Sequence, residues 1–199
     1  GESAALAELR GHFAAYWLTE ALPPGLATDP ALAEDPLLRD GSTARAALAA
    51  WCAGDDEAAS VQLKAIPFRS PYRDFTTLLK ALMSREKDPI ASGKLLERVA
   101  ADSPFAPLAA ALRLGLLPDE ELLPALGRAN QPSRDFVMSL RGWPERRRQL
   151  WRETQRLGDP PDPGQMVVLL RRYRQCFSEH WWHHMLRALG FALYPHKAP

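Results

Sequence analysis

The residue types best able to do chemistry gather toward the C-terminal end, where Cys176, His180, His183 and His184 lie close together. On a shared helix, Cys176, His180 and His184 step by four and fall on one face. Two ligands at i and i+4 can grip one ion, but the first and last of these three stand about 12 Å apart at the helical rise. That span is too long for one metal without a ligand from elsewhere. The His-Glu-x-x-His order of zinc proteases is also missing, because Glu179 precedes His180. The three are weak metal candidates. The expectation is a polar helix edge, with no metal and no cofactor.

The second concentration is basic: Arg146, Arg147, Arg148, Arg152, Arg156, Arg171, Arg172 and Arg174. Positions 148, 152 and 156 recur at i+4 and stack into a guanidinium ridge. Trp143, Trp151 and Tyr173 interleave with them, a mixture that suits stacking on nucleic-acid bases or anchoring a protein. Glu145, Glu153, Asp159 and Asp162 neutralise much of the same stretch. The expectation is a solvated helix face with Arg147, Arg148, Arg171, Arg172 and Arg174 available to a partner. Nucleic-acid binding is the lesser alternative, because the pI of 8.0 falls short of a strong electrostatic footprint. Further on, Trp181 and Trp182 make the terminal region apolar on more than one side. They serve either as a cap over the last core layer or as an aromatic docking patch.

No phosphate-binding Gly-x-x-x-x-Gly-Lys loop and no Gly-x-Ser-x-Gly nucleophile elbow occur. Asp55-Asp56-Glu57 and Asp119-Glu120-Glu121 resemble carboxylate clusters, but both fall where a helix begins and are accounted for by its dipole. The expectation is that the chain is not an enzyme.

The elements that must position these residues are helical by composition. Ala, Leu and Arg dominate the 199 residues, while β-branched types are sparse. The 18 prolines look hostile to helix until their neighbours are read. Asp29-Pro30, Asp35-Pro36, Ser70-Pro71, Asp88-Pro89, Ser103-Pro104 and Asp162-Pro163 each pair an N-cap side chain with a residue that loses nothing at the first helical position. Between them Ala59, Leu63 and Ile66, then Phe75, Leu78, Leu79 and Leu82, recur at helical spacing, and Ala91, Leu95, Leu96 and Val99 form a third apolar side. The helices expected are 3–22, 43–53, 55–66, 71–84, 89–101, 105–116, 119–129, 133–141, 144–157, 164–177 and 179–193, the last two divisible or continuous. Short turns between them make neighbours antiparallel.

The start signals repeat. Asp35-Pro36-Leu37, Ser70-Pro71-Tyr72 and Ser103-Pro104-Phe105 follow one another at 35 and 33 residues. Gly54-Asp55-Asp56-Glu57-Ala58-Ala59, then Leu63, Ile66 and Pro71, resembles the second helix of a tetratricopeptide repeat. Phe75, Leu78, Leu79 and Leu82 are similar to first-helix core positions, with Ala91 and Leu95 as the small and bulky pair after them. Arg98 stands where that family usually has a small residue, and the Leu-Gly and Tyr signature of the first helix is missing. The resemblance is clearest over 36–104. It implies an all-α fold, a right-handed α-solenoid of antiparallel hairpins with about 10–11 helices. The chain reads as one helical-repeat domain over 1–199: an irregular helical region 1–35, hairpins over 36–133, and basic, Trp-rich helices over 134–199.

A tetratricopeptide-like stack implies an adaptor or scaffold that holds a peptide or partner protein, with Tyr72 and Arg73 among the contact residues. Charge divides along the chain. Residues 1–67 hold 4 basic and 10 acidic side chains, whereas 134–199 hold 12 and 6. Head-to-tail self-association of a structural segment is therefore a further alternative. No apolar run is long enough to span a membrane. Cys52 and Cys176 read as buried or semi-buried free thiols, which favours a cytoplasmic location. The chain begins with Gly1 and not Met, which leaves a removed targeting segment open.

Overall fold

The computed structural model describes residues 4–27, 29–157 and 162–173, and among them every regular element is helical. The chain divides into two compact units, Gly1–Leu116 and Leu117–Pro199. The first holds α1 (Ala4–Thr19), α2 (Pro24–Ala27), a 3-10 turn (Pro30–Leu32), α3 (Pro36–Cys52), α4 (Asp56–Ala65), α5 (Arg73–Ser84), α6 (Pro89–Leu96) and α7 (Ala106–Leu116). The second holds α8 (Asp119–Arg128), α9 (Gln131–Leu140), α10 (Glu145–Thr154) and α11 (Pro163–Arg172).

The Asp-Pro pairs behave as caps. Asp35, Asp88 and Asp162 accept hydrogen bonds from the amides of Leu37, Ala91 and Gln165 at 2.8–2.9 Å, with proline in the first turn of α3, α6 and α11. The helix expected at 43 therefore starts at Pro36, because the cap outweighs the glycine at 41. Asp29-Pro30 opens only a 3-10 turn. The two Ser-Pro pairs fold differently from the caps expected of them. Ser70 Oγ accepts from Tyr72 N, and Ser103 Oγ accepts from Phe105 N, each at 3.3 Å. Each closes the same tight turn, and α5 and α7 begin only at Arg73 and Ala106. Gln131-Pro132, expected as a turn, lies inside α9, capped by Asn130.

Two glycines with positive φ end helices by one rule. Gly54 (φ 80°) and Gly142 (φ 64°) let Asp55 N reach Ala50 O and Trp143 N reach Met138 O, both at 2.9 Å. This is the left-handed stop that glycine alone adopts without cost.

In the first unit α3 packs on α4 and α5 on α6, and α3 also meets α1 and α5. Short turns join each pair, so the partners run antiparallel. The core gathers Ala14, Leu18, Leu37, Ala44, Ala47, Leu63, Ile66, Tyr72, Phe75 and Leu79. In the second unit Leu122, Leu126, Val137, Met138, Trp143, Leu150 and Trp151 are buried, and α10 packs on α11. No helix of the described residues is long and apolar enough to cross a membrane.

Candidate functional site

Arg146, Arg147, Arg148 and Arg152 arise from α10, and Arg171 and Arg172 from α11, helices that also bury Leu150, Trp151, Met166 and Leu169. Most of them are engaged within the unit. Arg148 Nε donates to Trp143 O at 2.9 Å, and Arg146 Nη2 donates to Arg172 O at 3.2 Å. Arg152 pairs with Glu145 at 3.1 Å, and Arg172 with Glu153 at 3.3 Å. The Arg147 guanidinium lies 5.3 Å from the centre of the Trp143 ring. Arg171 is exposed and makes no ion pair among the described residues.

The aromatic partners expected beside these arginines face inward. Trp143, Trp151 and Tyr173 are buried, and the two indoles meet edge to face at 6.5 Å. Tyr173 donates its hydroxyl to Glu153 at 2.6 Å; that hydrogen bond, then burial, holds the phenol above its ordinary range. None of the three rings presents a stacking face to a base. The same correction applies to Tyr72, whose ring is 1% exposed and whose hydroxyl donates to Leu37 O at 2.9 Å. Tyr72 is a core residue, because the Ser70 turn carries it directly beneath α3. Cys52, expected to be buried or semi-buried, is exposed. Arg174, Cys176, His180, His183, His184, Trp181 and Trp182 lie outside the described residues, and no cluster of metal-ligating side chains occurs among the described ones.

Arg73 remains on the surface and leads to a groove that spacing did not indicate. Proline at 67 cannot continue α4 and forces Ile66 into extended backbone (φ −78°, ψ 120°). The chain then turns outward and leaves Phe68 74% exposed. The Arg73 guanidinium covers one side of that ring at 4.4 Å. From here a groove of about 440 Å³ runs between α4, α5 and the end of α6. Leu63, Ile66 and Leu95 supply its apolar part, and Thr76 and Thr77 lie between Arg73 and Lys80 on one face of α5. Lys64, Arg73, Lys80 and Arg98 line it, no carboxylate does, and none of the four cations is in an ion pair among the described residues. Arg98 was visible in the sequence only as a departure from the tetratricopeptide pattern.

A second surface lies on α1. Its Ala14 and Leu18 are buried, yet Leu9, Phe13 and Tyr16, at i, i+4 and i+7, are 52, 45 and 57% exposed. Phe13 stacks on Trp17 with ring centres 5.5 Å apart. The helix is thus apolar on a face that its own unit does not cover.

Comparison with family models, characterised proteins and solved structures found no match to this chain.

Proposed function

We propose that the chain is a protein-interaction adaptor or scaffold that holds a peptide or partner protein on tetratricopeptide-like hairpins stacked as a right-handed α-solenoid. The observation that carries this reading is the outward stripe of α1. A helix whose inner face is already seated has no packing reason to keep Leu9, Phe13 and Tyr16 in water. Aromatic side chains fixed at a surface are the usual anchors of protein contacts. A reducing, cytoplasmic setting suits the exposed free thiol of Cys52.

The arginines of α10 and α11 give less support to nucleic-acid binding, because Arg148, Arg152 and Arg172 are engaged and the neighbouring rings are buried. The experiment is selection of a displayed random-peptide library on the full chain. The reading expects enriched peptides whose binding is lost in a Phe13→Glu, Tyr16→Glu variant of native helicity. Absence of enrichment above background, or competition by a generic oligonucleotide for every selected peptide, would overturn it.

A further inference from the structure

We infer that the groove between α4, α5 and α6 is a binding site for a short acidic peptide segment carrying a bulky apolar side chain. The groove is separate from the α1 stripe, and the inference does not depend on that surface.

Four cations line one groove with no carboxylate among its lining residues, and none of them is in an ion pair among the described residues, so their mutual repulsion is not offset within the groove. A ligand bearing carboxylates supplies what Lys64, Lys80 and Arg98 lack. The groove is not merely basic, however. Leu63 and Leu95 lie along it, and Phe68 projects at its edge although it is a large apolar ring in a turn. The ligand that satisfies both halves has negative charge next to an aliphatic or aromatic group. Arg73 then has two roles, holding Phe68 in place by its cation–π contact and adding to the positive field.

Nucleic acid fits this site less well. Residues 1–116 carry 12 basic and 15 acidic side chains, so the attraction is confined to the groove. Duplex DNA carries one charge per roughly 1.7 Å and would run on from the groove across an acidic unit. A peptide of a few residues ends within a 440 Å³ groove, whose size is that of a small-ligand or side-chain site.

Fluorescence anisotropy of the full chain with a labelled peptide of alternating Glu and Leu tests the inference. Saturable binding is expected that weakens as salt rises and falls about tenfold in each of Lys64→Glu, Lys80→Glu and Arg98→Glu. Lys87→Glu and Lys94→Glu make the same charge change in the same unit outside the groove, and are expected to stay within about twofold of the parent chain. Thermal midpoints check folding, and Lys64→Gln with Lys80→Gln replaces any reversal variant that unfolds. Four outcomes overturn the inference: equal affinity for a control peptide in which every Glu is replaced by Gln, equal loss in the two control variants, full displacement by an oligonucleotide, and self-association of the chain that Lys64→Glu abolishes. The first of these leaves the adaptor reading intact, and failure of the library selection leaves this inference intact.

Discussion

Tyr72 donates its hydroxyl to the carbonyl of Leu37, 35 residues away, and its ring fills the space left by the missing side chain of Gly41. A Cβ at position 41 would stand 2.7 Å from Tyr72 Oη. Glycine within a helix ordinarily costs about 1 kcal/mol relative to alanine. Here the contact between the hairpins outweighs that cost. Gly41→Ala is expected to destabilise by about 1–3 kcal/mol, because a ring 1% exposed cannot move aside cheaply. Tyr72→Phe is expected to lose about 1 kcal/mol through the hydrogen bond. In the double variant the clash is relieved, so the two losses should not add. Urea unfolding of all four chains measures the coupling, and simple additivity would contradict the packing described.

The same tyrosine makes the fold sensitive to alkali. Burial, aided by the negative charge of Asp40, pushes its phenol up to about 12. In the unfolded chain it ionises near 10. A raised phenol pKa means the folded state holds the proton longer, so this contribution is complete below about pH 10 and is lost as pH rises through about 12. Stability should therefore decline across that window in the parent chain, and less steeply in Tyr72→Phe. Denaturant midpoints measured through the window check this.

Ser92 is 1% exposed and donates Oγ to Ala81 O at 2.8 Å, where α6 crosses α5. Ser92→Ala should cost about 1 kcal/mol, and Ser92→Leu more than about 2 kcal/mol, since the crossing has no room for a larger group. If Ser92→Leu left the thermal midpoint unchanged, the close approach of these helices would be wrong.

Pro124 lies inside α8 and is exposed. It removes one helical hydrogen bond and crowds the preceding turn. Pro124→Ala is expected to stabilise the chain by roughly 1–3 kcal/mol, visible as a higher thermal midpoint.

Much of the fold was legible because its punctuation is chemical. Asp before Pro marks α3, α6 and α11, and glycine marks the ends of α3 and α9. The register of α6 was harder. Ala91 and Leu95 look like the small and bulky core pair, yet Ser92 and Leu96 are buried one position further on. A serine that bonds a backbone carbonyl can fill a core position that polarity alone argues against. Leu95 is thereby turned toward the groove.

The site was less legible for a similar reason. Density of arginine and tryptophan singles out 143–174, but spacing does not reveal that the indoles pack inward and that Arg146, Arg147, Arg148, Arg152 and Arg172 already have partners. The groove is assembled from Lys64, Phe68, Arg73, Lys80 and Arg98, drawn from α4, α5, the turn that follows α6 and a proline-forced turn. Only Arg73 stood out in the linear chain. The anomaly at Arg98 was the remaining signal.

The most direct measurement is an amide NMR titration of the full, isotope-labelled chain with the Glu-Leu peptide. The account predicts progressive shifts centred on Phe68, Thr76, Thr77, Leu95 and Arg98, abolished by Lys64→Glu with Lys80→Glu. Shifts centred instead on the arginines of 146–172, or an unchanged groove at saturating peptide, would contradict it.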